Sequence, residues 1–255
     1  MKKELDPEEE NKLLFNIVVP LFNAEKYIEK CLLSIANQSY KKFQVKVVDD
    51  CSDDSSYKIA SSICKENKNF KIFRNSRRIG ALNNIYNLLS EGIKEPTKTV
   101  DLIIDGDDYL YSGDVFNILK EKYIQTNCLI TYGSHISSKG VQGKKYPRLV
   151  REFNLFRKYF WYASHLRTFR HDLWLALNPQ DLLNKDKEYY SVAWDLAIMI
   201  PMLEMAGKRQ EFISEVLYAY NDNNPINDHR IRRKEQIRAA REIRQKKIYK
   251  KRTFY

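Results

Sequence analysis

The stretch VDLIIDGDDYL, Val100 to Leu110, places a β-rich apolar run directly before the acidic cluster Asp105-Gly106-Asp107-Asp108. Working outward, Phe15 to Val19 (FNIVV), Gln44 to Val48 (QVKVV), Phe70 to Arg74 (FKIFR) and Cys128 to Tyr132 (CLITY) read as strands of the same kind. Segments of helical period separate them. Ala24 to Gln38 carries Tyr27, Ile28, Cys31, Leu32 and Ile35 on one stripe, with Asn23 as the expected N-cap. Ile59, Ala60, Ile63 and Cys64 form a second stripe, and Ala81, Leu82, Ile85, Leu88 and Leu89 a third. Strands alternating with amphipathic helices predict a doubly wound α/β unit, in which ligands collect at the carboxyl ends of the strands.

Charge narrows the function classes. The 255 residues hold 44 Lys plus Arg against 33 Asp plus Glu, a net +11, of which +10 lies between Arg230 and Arg252. The remainder is nearly neutral, so no basic groove for nucleic acid is expected on the body. No window approaches the roughly 18 apolar residues of a membrane span, and MKKELDPEEE at the N-terminus has no apolar stretch. Cys31, Cys51, Cys64 and Cys128 are scattered without a CxxC pair, which argues against a zinc site or a disulfide scaffold and for a reducing, cytoplasmic compartment. Beyond Gly133 come a Gly/Lys/Ser loop, an aromatic-dense stretch from Phe153 to Trp174 and an apolar helical segment around Ala193 to Met205. Helical spacing of Phe153, Phe156, Tyr159, Phe160 and their neighbours favours a core role over sugar stacking.

Two acidic clusters, Asp49-Asp50 with Asp53-Asp54 and Asp105 to Asp108, follow strand ends. Either alone reads as a set of helix caps. Together they would repel one another in one crevice, and hard oxygen ligands of this kind select Mg²⁺ or Mn²⁺ with substrate phosphates. A haloacid-dehalogenase phosphohydrolase is disfavoured because its Asp-x-Asp lies on the first strand. A Rossmann dehydrogenase is disfavoured because no GxGxxG follows the first strand.

The ordered set VVPLFNAEKYIEKCLLSI (Val18 to Ile35), VVDDCSDDS (Val47 to Ser55), NSRRIGALNN (Asn75 to Asn84) and IIDGDDYL (Ile103 to Leu110) resembles the successive motifs of family 2 glycosyltransferases. The resemblance implies the GT-A fold, a Rossmann-like nucleotide-diphospho-sugar transferase with a mixed sheet flanked by helices, and here a C-terminal basic helix. It also implies a nucleotide-sugar donor, usually a UDP-sugar, a Mn²⁺ or Mg²⁺ ion, and inverting transfer to an acceptor hydroxyl on a glycan, lipid or protein. Carried over by position, Pro20, Phe22 and Asn23 lie beside base and ribose, and Asp50 holds uracil or ribose. Asn75, Gly80 and Asn84 complete the nucleotide side, while Asp105, Asp107 and Asp108 form the acidic motif, with Asp107 and Asp108 on ribose and metal.

In the family the general base is an acid near the start of a later helix, commonly in a Glu-Asp pair. Here Trp194 stands where the first acid is usual, and Asp195 is the expected base, the alternative being a helix cap. His229 falls in a loop that in some relatives closes on the diphosphate and adds a metal ligand; a solvent-exposed histidine is the other reading. His165 and Arg167 face the acceptor or phosphates, or are a satisfied histidine and a surface arginine. Trp194 also leaves open a catalytically inactive nucleotide-sugar-binding module.

The expected organisation is an acidic leader at 1–12 and a transferase domain at 13–228, split into a nucleotide-binding half (13–132) and an acceptor-side half (133–228). A basic helical tail at 229–255 follows. Its charge is read as a solvated face or as attraction of residues 230–252 to anionic lipid headgroups at the inner face of a membrane.

Overall fold

The computed structural model describes residues 13–225 and 231–252. The expected leader at 1–12 and His229 lie outside these residues.

Strands β1 (Leu14–Leu21), β2 (Phe43–Asp49), β3 (Phe70–Arg74) and β4 (Thr99–Ile103) form a parallel sheet in the order β3-β2-β1-β4. Helices α1 (Ile28–Ala36), α2 (Ser56–Glu66) and α3 (Ala81–Leu89) cross between them. Along β1, Phe15, Ile17, Val19 and Leu21 enter one core while Val18 enters the other. Burial on both faces is why these strands read as continuous apolar runs rather than alternating ones.

The second half extends the same sheet. After the two-residue β5 (Tyr109–Leu110) and helix α4 (Val115–Thr126) come β6 (Ile130–Ser137), the short β7 (Gly140–Gln142) paired to it, β8 (Arg167–Arg170) and β9 (Gln210–Ala219). Strand β8 lies antiparallel between β4 and β6, and β9 runs parallel to β6 before meeting β5. A mixed sheet flanked by helices results.

Some local expectations change. Helix α1 starts at Ile28, not Ala24, and Asn23 is no N-cap: it adopts a left-handed φ of 46°. There its N–H donates to Ser52 Oγ and its Oδ1 accepts from the Asp53 N–H, so it ties two strand-end loops together. The aromatic stretch is not one helix: it follows α5 (Arg148–Glu152) and consists of a 3-10 turn (Phe156–Lys158), β8 and the start of α6 (His171–Leu175). Phe156 and Trp174 are core, whereas Phe153 and Phe160 are exposed. Helix α7 (Trp194–Ala206) is buried all round from Leu196 onward, which suits its apolar sequence. No helix among the described residues is long and apolar enough to cross a membrane.

The basic segment forms α8 (Arg233–Gln245), with Ala239 and Ile243 buried against the body. Arg157 makes a fork-like pair with Glu204 of α7 at 2.7 and 2.9 Å and donates to the Ile243 carbonyl of α8. The Tyr249 N–H reaches the same Glu204 carboxylate at 3.0 Å. Arg244 donates to the carbonyls of Phe156, Arg157 and Tyr159, and Lys246 to those of Gln180, Asp181 and Leu183. Part of the basic charge is thus spent on buried carbonyls rather than solvated.

Removing one partner of a buried, hydrogen-bonded ion pair leaves the other charge stranded. Glu204→Gln is therefore expected to lower the unfolding free energy in urea by about 3–5 kcal/mol, while the double variant Arg157→Met/Glu204→Leu regains most of it.

Candidate active site

The carboxyl ends of β1, β2 and β4 open on one edge of the sheet, where they meet residues of the second half around a cleft of about 270 Å³. Pro20, Phe22, Asp50, Arg78 and Asn84 line one part, and Asp105, Asp107, His165, Arg167, Trp194 and Asp195 another. Gln236 of α8 also reaches the wall.

Asp50 follows the last residue of β2. Its Oδ1 accepts from Asn75 Nδ2 at 2.8 Å and the Ile79 N–H at 2.9 Å, and its Oδ2 from the Gly80 N–H at 2.8 Å. Burial opposes its ionisation, but these donors outweigh burial and hold the carboxyl below its ordinary range. Gly80 sits at φ 91°, in the region that favours glycine, which aims its N–H at Asp50 while opening α3. Asn75 Nδ2 bridges on to Asn84 Oδ1 at 2.7 Å, and the buried Asn84 side chain is a further donor lowering the Asp50 carboxyl. Arg78 lies 3.8 Å above the Phe22 ring, giving a flat cationic platform at this end. Asn23, Asn75 and Gly80 shape these loops without lining the cleft.

The turn after β4 presents three carboxylates to different partners. Asp108 is buried, its Oδ2 accepting from Tyr218 O–H at 2.7 Å and its Oδ1 from the Asn221 N–H at 2.7 Å. The Tyr218 oxygen itself accepts from the Asp105 N–H at 3.1 Å. Asp107 Oδ2 accepts from Asn224 Nδ2 at 2.7 Å. Burial and the neighbouring Asp105 charge push Asp107 up to about 6, and burial with the charges of Asp107 and Asp105 drives Asp108 well above the usual carboxylate range. Gly106 is required by space: a Cβ there would come within 3.0 Å of the Pro20 carbonyl oxygen.

Across the cleft, β8 delivers Arg167 beside the end of β4 through the register Ile103 to Arg167. Its buried guanidinium donates from Nη2 to Asp105 Oδ2 at 2.8 Å, touches His165 Nδ1 at 3.1 Å, and holds Nη1 3.9 Å from Asp195 Oδ2. The indole of Trp194 lies under it, 4.6 Å from guanidinium to ring. Trp194 therefore supports the cation that faces the acids. Asp195 stands in the first turn of α7. Burial raises its pKa, with Arg167 opposing. His165 stacks on Tyr218 at 4.7 Å and on Tyr220 at 4.9 Å, and burial with Arg167 and His135 keeps it neutral. Because Arg167 donates to Nδ1, the ring proton belongs on Nε2.

Of the residues expected at the site, Pro20, Phe22, Asp50, Asn84, Asp105, Asp107, His165, Arg167 and Asp195 line the cleft, whereas Asp108 is buried without lining it; Arg167 is a buried hub rather than a surface arginine. Asp105, Asp108 and His165 place one ligand atom each within 4.8 Å of one another, and Asp107 stands apart from that group. The oxygen ligands of Asp105 and Asp108 fit a hard divalent cation; the imidazole fits less well, since Arg167 occupies its Nδ1. Arg78, Tyr218, Tyr220, Asn221, Asn224 and Gln236 are additional to the expected set. Only the alternation Tyr218-Ala219-Tyr220, a strand-like pattern, hinted at any of them.

Comparison with known proteins agrees with this geometry. Residues 16–181 match the family described as glycosyl transferase family 2. The GalNAc(5)-diNAcBac-PP-undecaprenol beta-1,3-glucosyltransferase of Campylobacter jejuni is 26% identical over 129 residues, 49% of this chain and 41% of that protein. The poly(ribitol-phosphate) beta-N-acetylglucosaminyltransferase TarS of Staphylococcus aureus is 34% identical over 98 residues, 38% of this chain and 16% of that one. The chain thus spans less than half the length of these curated relatives. The structure of TarS 1-349 with UDP-GlcNAc superposes with a TM-score of 0.59 at 21% identity, covering 82% of this chain and 59% of that one. The mannosyltransferase PcManGT of Pyrobaculum calidifontis, solved with GDP-Man and Mn²⁺, gives 0.62 at 18% identity, covering 96% and 68%. The architecture is the GT-A fold.

The raised Asp107 carries a pH signature. Its folded value of about 6 exceeds the ordinary 3.8, so the native state binds the proton more tightly and stability falls as pH rises from about 4 to about 6. In EDTA, Asp107→Asn should unfold in urea like the wild type near pH 4 and be more stable by roughly 1–3 kcal/mol at pH 7.5.

Proposed function

This chain belongs to glycosyl transferase family 2, and from that premise we propose that it moves a sugar, with inversion, from a nucleotide-sugar donor to an acceptor hydroxyl. The observation that carries the reading is the meeting of the Asp50 end, the Asp105 to Asp108 turn and Asp195 in one cleft. The Phe22 and Arg78 platform offers a stacking face for the base, and the Asp50 and Asn84 side chains that line the cleft beside it offer polar recognition. Asp107 suits the ribose. TarS with UDP-GlcNAc makes UDP the first candidate, and PcManGT with GDP-Man makes GDP the second.

At the other end Asp195 accepts the proton of the acceptor hydroxyl. The oxygen attacks the anomeric carbon while its bond to the diphosphate oxygen breaks, and the electron pair leaves with the diphosphate. Burial raises the basicity of Asp195, and Arg167 keeps it from being protonated outright. A Mn²⁺ or Mg²⁺ ion held by Asp108 with Asp105 would offset charge on the leaving diphosphate. His165 Nε2–H and Arg167, both lining the cleft, add hydrogen-bond donors on that side. The acceptor hydroxyl belongs to a glycan, lipid or protein; the relatives' names give a lipid-linked glycan in one case and a poly(ribitol-phosphate) in the other.

The alternative, an inactive nucleotide-sugar-binding module, draws on Trp194, which puts a ring where an acid is usual. Peripheral contact with an anionic membrane remains part of the proposal. Its support is the outward basic face of α8, where Lys234, Arg238 and Arg241 flank the exposed Ile237.

UDP, GDP, CMP and dTDP, each with and without Mn²⁺, give the test in thermal unfolding. A nucleotide at about 100 times its Kd should add roughly 2.7 kcal/mol, or about 5–10 °C. The Mn²⁺-dependent part should vanish in Asp108→Asn. Asp195→Asn should keep nucleotide binding and lose about 10²–10⁴-fold in transfer. Absence of any nucleotide shift overturns the donor reading; undiminished turnover in Asp195→Asn overturns its role as base.

A further inference from the structure

A second concavity, a trough of about 420 Å³, lies against the cleft and shares Asp107 and Tyr220 with it. Its walls come from the start of α1, from β5, from the β6–β7 turn and from the segment after β9. Four tyrosines, Tyr27, Tyr109, Tyr111 and Tyr220, contribute to it, beside hydroxyl and amide groups of Ser137, Ser138 and Asn223. None of the nucleotide-end residues Asp50, Arg78 or Asn84 belongs to it.

We propose that this trough is the acceptor subsite, binding a saccharide chain by stacking sugar rings on Tyr109 and Tyr111 while hydroxyl and amide groups bond the ring edges. The proposal rests on reading the adjoining cleft as a donor site. A sugar presents apolar C–H faces edged by hydroxyls, and flat rings beside short polar side chains are the complementary surface. The rings are partly fixed before any ligand arrives. Lys30 Nζ lies 3.6 Å above the Tyr109 ring, and Tyr220 stacks on His165 at 4.9 Å. Tyr111 is 51% exposed, a large ring left open to solvent at the trough wall. The charges balance: Lys26 and Lys30 line the trough together with Asp107 and Asp222, the latter already accepting from Ser138 N–H and Oγ–H. A neutral saccharide fits that balance better than a polyanion.

The trough also has a direct connection to the reacting end. Tyr220 touches His165, which touches Arg167, which faces Asp195.

Ligand-observed NMR on the full chain, with chitotriose, cellotriose, maltotriose and mannotriose as probes and UDP with Mn²⁺ in parallel, tests this. At least one trisaccharide should receive saturation on the C–H protons of one ring face. Its Kd should weaken about threefold to tenfold in Tyr111→Ala and recover in Tyr111→Phe. No saturation of any trisaccharide, or equal binding by Tyr111→Ala, overturns the trough as a saccharide site. The UDP signal judges the donor reading separately, so UDP binding without saccharide binding overturns the trough alone. Saccharide binding without UDP binding overturns UDP as the donor nucleotide and leaves the trough standing.

Discussion

A single buried guanidinium organises the functional end of this molecule. Arg167 is almost wholly withdrawn from solvent, yet carries a full charge, so its environment has to supply what water would. It does so with the Asp105 carboxylate, the nearby Asp195, the neutral ring of His165 and the face of Trp194. They come from three separate stretches of chain: the end of β4 gives Asp105, the start of α7 gives Trp194 and Asp195, and the residues leading into β8 give His165. The position of Arg167 therefore sets the spacing between Asp105 and Asp195. Trp194, which in sequence looks like a lost acid, has a structural reason to be there.

The carboxylates after β4 impose the complementary constraint. Three acids within four residues are mutually repulsive, and the fold answers by giving each a different partner: Arg167 to Asp105, Asn224 to Asp107, Tyr218 with the Asn221 N–H to Asp108. All but the Arg167 contact come from β9 and the residues just after it. The second half of the chain is thus what makes the acidic turn of the first half tenable. The donor end, by contrast, is self-contained, because Asp50 finds its donors in the loop of residues 75–80.

Much of this was legible in the sequence, for identifiable reasons. Apolar runs ending in acids marked β2 and β4 because parallel strands are buried on both faces and their carboxyl ends carry ligands. The ordered motifs then pointed to the family, and the resemblance implied Asp50, Asp107, Asp108 and Asp195 for one site; Asp50, Asp107 and Asp195 line the same cleft. What stayed hidden depends on contacts between distant segments. Nothing local to Arg167 says that β8 inserts between β4 and β6, so its burial could not be read from its neighbours. Asn23 looked like a helix cap because caps and left-handed turn residues draw on the same side chains. The attachment of α8 rests on Arg157 and Glu204, two charged residues whose pairing leaves no pattern in either segment.

The place of β8 in the sheet also bears on how the chain is made. Strand β4 has β1 on one side from the outset, but its other partner lies about seventy residues further on, Val100 opposite Arg170. During synthesis, which proceeds at about 5–20 residues per second, the parallel half can collapse while that side of β4 still presents unpaired N–H and C=O groups. For that interval the nascent chain has an adhesive border of apolar strand. Arrival of β8 closes the border and carries Arg167 in with it. The step that protects the growing sheet from its neighbours is therefore the same step that seats the central charge of the cleft.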